Sequence, residues 1–193
     1  NNYLLELNNH WQTKVDEADQ WYAPSVALQR NFFGDYVKPF LDKNKKIYVI
    51  ISDAMRYEVG ADLVSLIRQE DRFDAKIEPA LSMLPSYTQL GMAALLPNKE
   101  LTIKDDETSM VLVDGQSSQG TVNRGKILAS GTSQGSVVIQ AKKLLEMHRD
   151  EKRALVSENS VVYVYHNLID KTGDSRDTEE RVFKASQETL NEL

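Results

Sequence analysis

Five consecutive apolar residues, Ile47-Tyr48-Val49-Ile50-Ile51, followed at once by Ser52 and Asp53, constrain this chain more than any other stretch in it. A continuous β-branched and aromatic run suits a strand covered on both faces of a parallel sheet, because a half-solvated strand alternates instead. The polar pair then falls where the strand stops. In open α/β sheets ligands bind in the crevice beyond the carboxyl ends of the strands, so Asp53 is a candidate for chemistry. Asp is also a favoured N-cap for the helix expected from about Arg56 to Glu70, and the stretch alone leaves both roles open. Tyr57, Ala61, Val64, Leu66 and Ile67 are the expected buried side of that helix.

A second run repeats the pattern. Val161-Val162-Tyr163-Val164-Tyr165 leads into His166, with Asp170 and Asp174 close behind. Strands alternating with helical stretches predict an α/β fold, a mostly parallel sheet with helices on both faces. If the two strands are neighbours, Asp53, His166, Asp170 and Asp174 gather at one edge. An oxygen-rich set with one histidine suits zinc, manganese or magnesium. A lone histidine after a strand is equally compatible with a structural hydrogen-bonding role.

The remaining segments add hydroxyls and a polar loop. A strand is expected near Phe73 to Pro79. Leu84-Pro85-Ser86-Tyr87-Thr88-Gln89-Leu90-Gly91-Met92-Ala93-Ala94-Leu95-Leu96-Pro97 is a turn feeding a short apolar helix that proline stops. Thr88, at its start, is either an N-cap or a hydroxyl placed to act as a nucleophile. Met110 to Val113 reads as a strand that opens into a Gly-, Ser- and Asn-rich loop from Asp114 to Gly125. This loop lacks the Gly-Lys-Ser/Thr ending of a phosphate loop. Its Arg124 is either an anion holder or a solvated surface arginine. Val137 to Ile139 is expected to be strand and Ala141 to Arg153 an exposed helix of mixed charge.

Before the first strong strand lies a leader, residues 1–45, distinct from the domain at 46–193. Leu4, Leu7, Trp11 and Val15 step at helical spacing, and Pro24 suits the first turn of a second helix. A helical hairpin is therefore expected, packed on the sheet or on an upstream domain. Its aromatic positions read as core. The chain opens at Asn1 without methionine and stops at Leu193 inside an apparent helix from Thr178 onward. On that ground the domain is expected to be a piece of something longer, incomplete at its C-terminus.

Composition narrows the class. A net charge of -6 gives no overall attraction for nucleic acid, although a local basic patch is compatible with it. The absence of cysteine removes disulfides and thiolate metal sites, leaving oxygen and histidine as ligands. No apolar run approaches the roughly 20 residues of a membrane span. A cytoplasmic protein without membrane partners is expected.

Four stretches in order resemble the PglZ family: Ile-Ser-Asp-Ala-Met-Arg-Tyr-Glu, the Leu-Pro-Ser-Tyr-Thr segment, the Asp-Gly through Thr-Val-Asn-Arg loop, and Tyr-Val-Tyr-His-Asn-Leu-Ile-Asp with Thr-Gly-Asp behind it. That family is part of the alkaline phosphatase superfamily and of the bacterial BREX anti-phage systems. The resemblance spans roughly Lys46 to Leu193 and implies a metal-dependent phosphatase or phosphodiesterase with two divalent ions, zinc first and manganese or magnesium next. It implies Asp53 as a metal ligand and Thr88 as a metal-touching nucleophile that forms a covalent phosphothreonine, with Ser86 a weaker competitor. Asp170 and Asp174 fall on a later ligand pair. Position 174 is Asp where relatives carry His, which leaves His166 as a possible substitute. Arg124 and Asn123 fall where substrate would bind. The superfamily's closing Asp-His-Gly motif has no counterpart before Leu193. Implied partners are a phosphoester substrate, nucleic acid or a nucleotide among them, and other BREX proteins. A non-catalytic scaffold in the defence complex is the alternative, favoured by Asp174. A nucleotide-binding regulator is the third possibility, and no glycine fingerprint supports it.

Overall fold

Val161–His166 is the middle strand of a three-stranded parallel sheet in the computed structural model, which describes residues 2–174 and 178–193. Ile47–Ser52 pairs with one of its edges and Ser136–Gln140 with the other. All six residues of the middle strand are buried, as its unbroken apolar run requires. The register sets Ile51 beside Tyr165 and Ser52 beside His166, so both strands end at the same level. The outer strand carries Asp53 one step further.

Helices lie on both faces, as the alternating pattern implies. On one face Val49, Ile51, Val161, Tyr163 and Tyr165 join a core with Phe33, Val37, Leu90, Leu96 and Leu128. On the other, Val162 and Val164 pack with Ile139, Ala141 and Leu155. This second layer does not reach the outer strand, where Tyr48 and Ile50 remain 47% and 49% exposed. The expectation that Ile47–Ile51 is covered on both faces therefore holds for one face only. Helix Tyr57–Gln69 follows the outer strand, and neither Tyr57 nor Leu66 is buried by it.

Several local expectations change. The leader begins with helix Asn2–Asp16, which buries none of its residues; Trp11 meets Trp21 edge to face at 5.9 Å, and Trp21 Nε1 donates to the Ser82 carbonyl. No regular second arm of a hairpin follows. Ala27–Leu28 is extended and pairs in parallel with Ala80–Leu81, after which the chain turns through a 3-10 segment, a π-helical turn at Phe33–Val37 and a short helix Lys38–Leu41. Pairing with a distant strand displaces the helical start expected at Pro24 to Gln29, while Phe32, Phe33, Val37 and Leu41 are helical as their spacing predicts. The segment from Phe73 to Pro79 is irregular, with Phe73 65% exposed; its alternating charges and Pro79 offer no continuous ladder. The long helix expected after Ala141 is two, Ala141–Glu146 and Arg149–Glu158. A capping box restarts the second, the His148 N–H donating to Glu151 Oε2 at 2.8 Å. Leu101–Ile103, Val111–Val113 and Gln116–Ser117 form a small antiparallel sheet that leads into helix Gly120–Ser130.

Candidate active site

The strand ends are tied together by backbone. The Asp53 N–H donates to the His166 carbonyl at 2.8 Å, continuing the ladder one residue past the strands. Immediately afterwards Ala54 takes φ 60°, a left-handed conformation that a residue with a Cβ adopts only at a cost. This sharp turn releases the chain toward helix Tyr57–Gln69 and leaves the Asp53 carboxylate at the sheet edge, where among the described residues Oδ1 accepts only the adjacent Ala54 N–H at 3.1 Å. Asp53 is thus no cap for that helix; Arg56 holds the N-cap position.

Two clefts meet at this edge. The larger, about 1030 Å³, is lined by Asp53, Thr88, Thr121, Arg124, Tyr165 and Lys171 among others. The smaller, about 430 Å³, is walled by Ile51, Met83, Tyr87 and Met92, with Ser86 on its rim. Asp53 and Thr88 line both. Thr88 opens helix Thr88–Ala94, but the N-cap is Tyr87 and no side chain caps this end. The threonine hydroxyl is therefore exposed rather than consumed as a cap.

Charge at the edge is crowded. Burial, then the nearby Asp170, holds the Asp53 carboxyl above the usual carboxylate range; Asp174 adds to the effect, while the Ala54 N–H and Arg124 oppose it. Asp170 is likewise raised, by burial and then by Asp174. These last two lie one helical turn apart, the Asp174 N–H donating to the Asp170 carbonyl. Arg124 is not a solvated surface residue. Its Nε donates to the Ser118 carbonyl at 3.1 Å and its guanidinium sits 4.6 Å above the Tyr165 ring.

The sequence-predicted residues are brought together unequally. Asp53, Thr88, Arg124 and His166 line the same cleft, whereas Asp170 and Asp174 line neither cleft and act on Asp53 through their charge. Asn123 turns away, its amide donating to the Gln119 carbonyl at 2.9 Å to hold the first turn of its helix. His166 is 4% exposed and engaged at both ring nitrogens, by Ser52 Oγ at 3.1 Å and Glu192 Oε2 at 3.0 Å. That leaves no ring nitrogen free for a metal. Carboxylates and a hydroxyl are the right donors for a hard divalent ion. Among the described residues, however, no group of three potential ligands converges on one point. Thr121, Tyr165 and Lys171 also line the larger cleft and were not expected. The period-2 alternation that buries Tyr163 puts Tyr165 on the same face, which is the signal that would have found it.

Comparison with known proteins places the chain in a family. Residues 32–193 match a family described as the BREX system PglZ alkaline phosphatase-like domain. An alkaline phosphatase-like protein, BrxZ, of Escherichia coli O9:H4 (strain HS) is 41% identical over 196 aligned positions, which take in 99% of this chain and 22% of that protein. The alkaline phosphatase-like protein PglZ of Bacillus cereus (strain H3081.97) is 38% identical over 195 positions, 100% of this chain and 22% of the relative. The chain thus spans about a fifth of the length of these relatives.

Proposed function

The chain belongs to the PglZ family of alkaline phosphatase-like domains, and from that premise we propose that it carries the nucleophile end of a metal-dependent phosphoric ester hydrolase acting through Thr88. The observation that carries this is the position of Asp53 and Thr88 on the ridge shared by two clefts, with the half-buried Arg124 facing them. A phosphomonoester has one organic group and needs one cleft. A diester has two, and two clefts that meet at the nucleophile favour it.

In the reaction the Thr88 hydroxyl oxygen forms a bond to phosphorus while the bond to the leaving oxygen breaks, and the hydroxyl proton passes through solvent to the departing alcohol. Water then cleaves the threonine phosphoester and restores the hydroxyl. Arg124 pairs with the non-bridging oxygens, whose charge it matches in a partly water-excluded cleft. Divalent cations, zinc first and manganese or magnesium next, supply Lewis acidity and charge neutralisation when bound; Asp53, Thr88, Asp170 and Asp174 are the residues of this chain proposed to hold them. Their donors are incomplete here, as is expected of about a fifth of a relative's length. The family's tie to the BREX system suggests a cytoplasmic setting, nucleic acid or nucleotide substrates and other BREX proteins as partners.

A second reading, a non-catalytic scaffold, is favoured by two observations: the engaged ring of His166 and the lack of a converging ligand group among the described residues. Hydrolysis of a chromogenic diester and monoester by the full-length protein, with zinc or manganese, separates the two. The enzyme gives metal-dependent turnover with the diester preferred, lost in Thr88→Ala; a scaffold gives none in a folded protein.

A further inference from the structure

We propose that Tyr165 is a positioning residue for phosphoryl recognition, its ring forming the rigid seat that aims the Arg124 guanidinium into the junction of the two clefts. This rests on the reading of that junction as the phosphoryl site. An arginine is useful for recognising a planar set of oxygens only if its long side chain is fixed before the ligand arrives. Arg124 is fixed at two points. Its Nε is bound by the Ser118 carbonyl; Ser118 is 4% exposed and is itself held by its N–H and hydroxyl, both donating to the Val111 carbonyl. Its guanidinium carbon lies 4.6 Å from the centre of the Tyr165 ring, within cation–π range. Among the described residues Arg124 forms no salt bridge; its charge acts on Asp53 and on the Tyr165 side chain, and it faces the larger cleft.

Tyr165 is itself immobile. It is 8% exposed, joins the core beneath the central strand and lines the larger cleft. Comparison with Tyr163, two residues earlier on the same face, is informative. The Tyr163 hydroxyl donates to the Leu95 carbonyl at 2.8 Å, whereas the buried Tyr165 hydroxyl has no well-formed hydrogen bond among the described residues and its neighbouring polar group is Arg124. The second ring is held by its packing in the core and by its contact with Arg124. What the position presents to the site is its aromatic face, and that face carries the guanidinium.

The test uses the full-length protein with phenylalanine at position 165, then phenylalanine rings of increasing fluorination, which preserve shape while weakening the π face. Two readouts are taken, the KM for a chromogenic phosphoester and the rise in Tm on adding inorganic phosphate. Tyr165→Phe, which keeps the ring face and removes the hydroxyl, is the reference from which the fluorinated series is read. Along the fluorinated series KM should climb by about three- to tenfold while kcat stays within about twofold, and the phosphate-induced Tm rise should shrink in step. In an Arg124→Ala background fluorination should have no further effect. A purely structural role would lower Tm and leave KM flat across the series, and a flat KM overturns the proposal. If wild type shows neither turnover nor stabilisation by phosphate, the phosphoryl-site reading itself fails and the role of Tyr165 falls with it; wild-type stabilisation that is insensitive to the fluorinated ring overturns the Tyr165 role alone.

Discussion

The amide of Asp53 donates to the carbonyl of His166 across 2.8 Å, so one backbone bond sets the ends of two sequence-distant strands side by side. Through it the carboxylate of Asp53 is delivered to the edge where Asp170 and Asp174 arrive from the following helix. The edge accumulates negative charge that the protein alone compensates only in part, through Arg124 and the Ala54 N–H.

That crowding has a stability signature. A carboxyl whose folded-state pKa lies above the ordinary 3.8 favours the folded state only while protonated, and the benefit is lost as pH rises through the folded value. At neutral pH the Asp53 carboxylate is therefore a local cost. In metal-free buffer Asp53→Asn should raise Tm at pH 7 by about 1–3 °C once solvent screening is discounted, and the gain should shrink toward acid pH. Added zinc or manganese should reverse the order, stabilising wild type and not the variant. Thermal melts across pH with and without metal check both statements.

His166 is expected to matter for folding rather than for metal. Its ring bridges Ser52 on the outer strand to Glu192 on the last helix from a buried position. Removing it leaves the part-buried Ser52 hydroxyl without this partner and empties a buried site, while Glu192, 40% exposed, turns to solvent; His166→Ala should cost about 1–3 kcal/mol in denaturant unfolding. Metal-induced stabilisation, compared with wild type at equal folded fraction, should be unchanged. Loss of the metal effect alone would return His166 to the ligand set.

The turn after Asp53 holds strain that aims the carboxylate. Ala54, at φ 60°, should be replaced by glycine with a gain of up to about 1 kcal/mol, the relief of the Cβ clash being offset by added backbone entropy. Ala54→Val should destabilise by more than that. Because glycine loosens the turn, turnover in Ala54→Gly is expected to fall despite the stability gain, which paired denaturation and kinetic measurements resolve.

Much of this site is legible in the chain because period and punctuation are local. The unbroken runs at Ile47–Ile51 and Val161–Tyr165 dictate strands, the second buried on both faces and the first on one only, and the polar residues after each dictate an edge. Pairing of the two strands could be inferred from the repeat of the pattern, and the register confirms it residue by residue. What could not be read depends on partners far away in sequence. The engagement of His166 needs Glu192, 26 residues on, and the seating of Arg124 needs a ring from another strand. Thr88 looked like a cap by spacing; the helix begins one residue earlier than that role requires, with Tyr87 as the flanking residue. The second arm of the leader had helical spacing, yet Ala27–Leu28 found a strand partner at Ala80–Leu81, a tertiary contact outweighing local propensity.

The central claim is that the Thr88 hydroxyl becomes covalently bound to phosphorus. The most direct measurement is acid quenching of the full-length, metal-supplied protein during turnover of a phosphodiester, followed by proteolysis and mass analysis of the peptide holding Ser86 and Thr88. The expected result is a substituted phosphoryl group on Thr88, absent without substrate and absent in Thr88→Ala. Sustained hydrolysis with that peptide unmodified at every quench time, and undiminished in Thr88→Ala, would contradict it.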